Sequence, residues 1–217
     1  MNISNRLDKH AVAASLVALG AAAAANAAVV TWNINLAVPA TTDGLYINVE
    51  TGVTYDGSSA NANFPGWDLN PYGATSMAFF WSGSTNGSSA AVRLNTTAGG
   101  TTSGSTLSSL PEGFVVGAQL VGGASGASFG SGSASFTTTS QGKWSFNALN
   151  YFGFRFTNAA GQIRYGFGVM QMGATATVRT LVSVSYEDSG GSIVVPAPGA
   201  LALLGVAGLA GARRRRR

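Results

Sequence analysis

Hydrophobic residues in the middle of this chain recur at every second position, and that period limits what it can fold into. Val30, Trp32, Ile34, Leu36 and Val38 alternate with Thr31, Asn33, Asn35 and Ala37, and Pro39 closes the run. A helix would scatter such a set around its axis, whereas a strand places it on one face. The rhythm returns at Leu45, Ile47 and Val49 behind the turn sequence Thr41-Thr42-Asp43-Gly44, and again at Phe114, Val116, Ala118 and Leu120. Val178, Val182, Val184 and Tyr186 form a last strand, and Met77 to Trp81 and Ala91 to Leu94 two shorter ones. The strongest signals are Asn150 to Thr157 and Gly161 to Met172, which flank Asn158-Ala159-Ala160, a hairpin turn closed by Gly161. Asp56 to Pro71 reads as a loop, and Thr96–Ser109 and Gly122–Ser135 as low-complexity surface loops. No helix pattern follows the second of these, so it is not a dinucleotide-binding loop.

The expected fold is therefore all-β: an antiparallel β-sandwich, jelly-roll or lectin-like, of about eight to ten strands. It spans 28–188 and is flanked by an N-terminal signal-peptide helix and a C-terminal transmembrane helix. Residues 1–27 carry Arg6 and Lys9, an apolar run from Ala11 to Ala25, and small residues at Ala25 and Ala27. That order is a secretory signal cleaved before Ala28. At the other end, residues 189–195 read as a Gly/Ser linker, followed at 196–217 by a proline pair, an uncharged Ala/Gly/Leu/Val run and Arg213, Arg214, Arg215, Arg216 and Arg217. Prolines keep the backbone extended and open to an enzyme. The run from Gly199 to Ala212 makes only about 21 Å of helix, short for a bilayer and suited to a temporary anchor. The arginines would hold the end on the cytoplasmic side. A plain membrane anchor is the simpler alternative.

Val195-Pro196-Ala197-Pro198, the apolar run and the Arg cluster together resemble the PEP-CTERM sorting signal of Gram-negative bacteria, usually Val-Pro-Glu-Pro before a Gly/Leu-rich helix and arginines. Ala197 stands where that family has Glu. The resemblance implies recognition by an exosortase at the inner membrane, a transient membrane form, and delivery to the cell surface or extracellular matrix. Tyr151-Phe152-Gly153-Phe154-Arg155-Phe156, followed by Gln162-Ile163-Arg164-Tyr165-Gly166-Phe167, is similar to a paired pattern in the same proteins; Arg164 replaces its His and Phe167 its Trp.

Charge is misleading unless the ends are set aside. The whole chain has pI ≈ 9.8, but between the two signals seven acids face five bases, a net charge of −2. Nucleic acid is not an expected partner. There is no cysteine, and the only histidine, His10, lies in the signal segment. A mature domain without Cys or His lacks the usual parts of a nucleophilic triad or zinc site. Neither a cofactor nor an enzyme activity is expected.

Two features could still carry chemistry. Asp56, Asn61, Asn63, Asp68 and Asn70 are hard oxygen donors in one loop, although their spacing fits no EF-hand and suits ordinary turns. Phe64, Trp67 and Tyr72 are aromatics in a polar context, available either to cap the core or to stack on sugar rings. Trp32, Trp81 and Trp144 fall in strand patterns and are expected in the core. Glu187-Asp188 reads as a solvated strand end. The resulting expectation is an exported structural or adhesive protein of the envelope or exopolysaccharide matrix. A carbohydrate-binding module is the alternative, with a glycoside hydrolase third.

Overall fold

The computed structural model describes residues 28–57, 64–82, 89–93, 106–121, 127–130, 132–136 and 143–197. These residues contain strands and no helix, in the order β1 (Val29–Ala37), β2 (Leu45–Ile47), β3 (Thr54–Asp56), β4 (Leu69–Tyr72), β5 (Ala78–Trp81), β6 (Ala90–Arg93), β7 (Thr106–Leu107), β8 (Val115–Val116), β9 (Ser128–Gly130), β10 (Gly132–Ala134), β11 (Leu149–Thr157), β12 (Ile163–Met172), β13 (Arg179–Glu187) and β14 (Ile193–Val194). One six-stranded sheet runs β1-β13-β12-β11-β6-β9, a second runs β3-β2-β4-β5-β10-β7, and β14 pairs with β8. The β7–β10 pairing is parallel, so the second sheet is mixed rather than purely antiparallel. The chain is all-β. The two signal helices expected at 1–27 and after Pro196 fall outside the described residues, apart from Ala197. Among the described residues no helix is long and apolar enough to cross a membrane.

The sheets pack face to face. Leu45, Ile47, Leu69, Phe79 and Trp81 from the second meet Phe152, Phe154, Phe156, Met170, Leu181 and Val184 from the first in one buried cluster. Alternation along β11 explains how the first sheet supplies its side of this core: even-numbered residues face it. Odd-numbered residues face a second apolar cluster, where Tyr151, Tyr165, Phe167 and Val169 lie under Leu110, Phe114, Val116, Ile193 and Val195. Both faces of β11 and β12 are thus covered. Trp81 and Trp144 are buried as expected, whereas Trp32 is half-buried, its indole N–H bonded to the Val49 carbonyl at 3.0 Å.

Several expectations need correction. The described residues hold fourteen strands rather than eight to ten, and the stretches read as low-complexity loops contain β7, within 96–109, and β9 and β10, within 122–135, because backbone groups make a ladder whatever their side chains. Leu36 does not continue the inward face of β1: register shifts between Asn33 and Leu36, Asn35 takes φ 50, and Leu36 is left exposed. A bulge adds one residue and so reverses the face that follows it. The loop expected through Pro71 ends earlier, because Leu69 and Pro71 pair with Trp81 and Phe79. Residues 189–195, read as a linker, contain β14 and bury Ile193 and Val195. Glu187 is no solvated strand end: it is buried, and its carboxylate accepts bonds from the Ser189 backbone and hydroxyl and from the Gly191 amide. Burial pushes its pKa up, but these bonds outweigh burial and hold it below the usual range.

Arg179 ties several turns together. It is buried, and its guanidinium donates to the carbonyls of Ser76 (2.6 Å), Gly73 (2.7 Å), Pro39 (2.9 Å) and Ala176 (3.1 Å). Burial lowers its pKa; the four carbonyl dipoles offset part of the cost of desolvating the charge.

Candidate functional site

The outer face of the second sheet carries an aromatic ridge. In β2, Leu45 and Ile47 turn into the core, so Tyr46 turns outward, and it pairs across the sheet with Tyr55. In β5, Phe79 and Trp81 are buried and Phe80 between them is 55% exposed. The register Ile47↔Leu69 and Asn70↔Phe80 sets Asn70 between Tyr46 and Phe80. Two rings from the crossover between β3 and β4 then fill the gaps. Phe64 stacks on Tyr55 at 4.6 Å and 16°, and meets Tyr46 at 5.0 Å. Trp67 sets its edge against Tyr46 at 5.0 Å and stacks on Phe80 at 5.7 Å and 28°. Each such pair contributes about 0.5–1.5 kcal/mol beyond the area it buries, so the ridge is held together by its own contacts.

Of the three aromatics singled out in the sequence, the structure brings Phe64 and Trp67 together. Tyr72 lies two residues beyond Asn70 on β4, half-buried, and no ring contact joins it to the ridge among the described residues. Tyr46, Tyr55 and Phe80 were missed. The signal was present for two of them: Tyr46 sits out of phase with Leu45 and Ile47, and of the three consecutive aromatics Phe79, Phe80 and Trp81 a strand can bury only alternate members on one side.

Behind Trp67 opens a cleft of about 100 Å³ lined by Asn48, Glu50, Trp67, Asp68, Ser82 and Thr157 among others. Asp68 is 8% exposed, and its Oδ2 accepts a bond from the Val49 amide at 2.8 Å. Burial raises its pKa to about 7, a rise that the Val49 bond opposes and the neighbouring charge of Glu50 reinforces. Glu50 Oε2 accepts from the Ala159 amide at 2.8 Å. Thr157 is 8% exposed, and its Oγ1 is buried without a hydrogen-bond partner among the described residues. Among the described residues no Lys, Arg or His lines the cleft. An acid perturbed by burial, beside an indole and in a cleft, is the kind of group that marks binding or proton-transfer sites.

The oxygen donors considered for calcium divide up. Asn61 and Asn63 lie outside the described residues, Asp68 faces the cleft, and Asn70 donates from Nδ2 to the Asp43 carbonyl at 2.8 Å. Among the described residues, no cluster of three or more His, Cys, Asp or Glu side chains is positioned to hold a metal.

The processing residues are placed only in part. Ala25, Ala27, Pro198 and Arg213 to Arg217 lie outside the described residues. Ala28, the first residue after the expected cleavage, donates its N–H to Asp188 Oδ1 at 3.0 Å. Val195 is 1% exposed; its N–H donates to Phe114 O at 2.8 Å and its carbonyl accepts from Gly113 at 2.9 Å. Pro196 and Ala197 are half-buried. The segment Val195–Ala197, expected as the start of a sorting motif, therefore lies against the domain rather than extended in solvent. Comparison with protein-family models, with curated proteins and with solved structures finds no match to this chain.

Proposed function

We propose that this chain is an exported cell-surface or extracellular-matrix protein, sorted by an exosortase through its C-terminal tripartite signal, that adheres to exopolysaccharide. The export half of this reading rests on the signals at the two ends: Ala25 and Ala27 before the mature start, and the Val195–Pro198 motif, apolar run and five arginines after the domain. The adhesive half rests on one observation, the ridge of Tyr46, Tyr55, Phe64, Trp67 and Phe80 on the outer face of the second sheet. Phe80, 55% exposed, with the half-buried Tyr46, Tyr55, Phe64 and Trp67 beside it, offers an apolar strip to the faces of successive sugar rings, and the polar cleft next to it offers hydrogen bonds to ring substituents. A lectin-like sandwich is the finer fold that this reading carries. The protein acts by binding, without chemistry of its own.

Pull-down with exopolysaccharide and binding to a glycan array test the proposal. Trp67→Ala and Phe80→Ala should each weaken retention at least tenfold while leaving the far-ultraviolet spectrum unchanged. Retention unaffected by both substitutions would reject the ridge as the adhesive surface. Release of new reducing ends from the polysaccharide would assign hydrolysis instead.

A further inference from the structure

We propose that β14 is a latch: while it is docked on β8, the folded domain withholds its own C-terminal motif from the exosortase, and the chain is processed only when this last strand peels away. The inference rests on the sorting reading above and adds the control of that step. A peptidase takes its substrate as an extended segment whose backbone and side chains are free to meet the enzyme. Val195, the first residue of the motif, offers neither. Its side chain is 1% exposed, its N–H is donated to the Phe114 carbonyl, and its own carbonyl accepts from the Gly113 amide. Pro196 and Ala197 after it are half-buried. The residues before it are held as well. Ile193 lies in the second apolar cluster and pairs with Val116, and Gly117 sits so close to Ser192 that a Cβ there would strike its side chain. Further upstream the Glu187 carboxylate captures the Ser189 and Gly191 amides and turns the chain back.

The same geometry lets the latch open without unfolding the domain. β14 is two residues long, and its one ladder is to β8, which is equally short. The core between the two large sheets includes none of residues 193–195, so their release leaves it intact. Short terminal elements of this kind open locally at far less cost than the whole fold. When opening and closing are fast, cleavage follows the fraction of molecules in which the strand is open.

A reducible clamp tests this. Val115 exchanges both its backbone bonds with Val121, so it faces Val194 as a non-hydrogen-bonded pair, the kind whose side chains stand closest. Val194 is 55% exposed, Val115 is half-buried, and the chain has no cysteine of its own. The full chain carrying Val115→Cys and Val194→Cys, placed in inner-membrane vesicles that contain the exosortase, should be processed at least tenfold more slowly when oxidised than when reduced, as read by intact mass. Ile193→Ser, outside the motif, should be processed at least tenfold faster than wild type. Thermolysin, which cuts before Ile and Val, reads the same opening without an exosortase. On the purified full chain it should cut between residues 192 and 195 at least ten times more slowly than in a peptide of residues 187–197, and the oxidised clamp should stop it. The clamp is one protein in two redox states, so a folding defect cannot imitate its effect. Equal processing of the oxidised and reduced forms would overturn the latch and keep the sorting reading. Thermolysin cleavage of the folded chain at the rate of the peptide would overturn the latch, as would an oxidised clamp that stops the exosortase and leaves thermolysin unaffected. No processing of any form, wild type included, would overturn the sorting reading and this proposal with it.

Discussion

Asp68 and Glu187 show how the same side-chain chemistry is driven in opposite directions by its surroundings. Burial dominates at Asp68 and raises its pKa from 3.8 to about 7. The folded state therefore binds a proton that the unfolded state has released, so this group's contribution is fully present below about pH 4 and is lost as pH rises to about 7. The loss is bounded at about 4 kcal/mol, from 1.36 kcal/mol per pKa unit. Urea unfolding at pH 4.5 and pH 8 should show it, and Asp68→Asn should flatten the difference and be the more stable protein at pH 8. An unchanged pH slope in the variant would count against this account. Hydrogen bonds dominate at Glu187 and lower its pKa, so its contribution is present above its unfolded value and is lost as pH falls through its folded one. Close approach is a second residue-scale constraint. Gly166 and Gly168 sit opposite Phe154 and Phe152 in the β11–β12 ladder, and each glycine leaves room for the ring of its partner to lie across the sheet. A methyl group at Gly168 would collide with Phe152 Cζ. Gly168→Ala should therefore cost about 1–3 kcal/mol by overpacking, measurable as a shift in denaturant midpoint. The Phe-Gly-Phe and Tyr-Gly-Phe-Gly phrases thus have a packing reason that their sequence alone did not reveal.

At the scale of elements, the C-terminal segment changes how the domain should be bounded. Ile193 and Val195 are buried in the second apolar cluster with Phe114 and Val116, and β14 pairs with β8 through Ile193↔Val116. A fully buried aliphatic side chain contributes about 1.5–3 kcal/mol, so a chain ending at 190 should be about 3–6 kcal/mol less stable than one ending at 197. Equilibrium unfolding of the two truncations decides this, and equal stability would mean that the strand adds nothing to the domain. The linker expectation failed for a specific reason. Ser189-Gly190-Gly191-Ser192 has the composition of a flexible tether, but Glu187 captures the Ser189 and Gly191 amides and turns the chain back, with Gly190 at φ 90. Composition reports what a free segment would do; a buried carboxylate next to it decides whether it stays free.

At the scale of the whole molecule, charge is distributed unevenly along the chain. Five of the ten arginines stand together at 213–217, and the region between the two expected signals is acidic overall. Each arginine at a membrane centre costs about 2.5–3.5 kcal/mol. Replacing Arg213 to Arg217 with serine should therefore let the weak apolar run slip through, and the tail should reach the periplasm or medium uncleaved. Intact mass of protein from membrane and medium reads this directly, and wild-type processing of the variant would reject the arginines as a stop. The alternation of apolar residues, read without coordinates, determined that the region between the two ends is built of strands, where most long strands lie and which residues of β2 face inward, because a strand's two faces are written in its parity. The expected terminal signals rest on equally local features, contiguous runs of charge, apolarity and proline. The ridge and the cleft are not local. Phe64 and Trp67 were visible as aromatics in a polar loop, but only the pairing of β3, β2, β4 and β5 set Tyr55, Tyr46 and Phe80 beside them. Glu50 and Asp68 share a cleft with Thr157 because the two sheets pack together, and the desolvation that perturbs Asp68 exists only once they have.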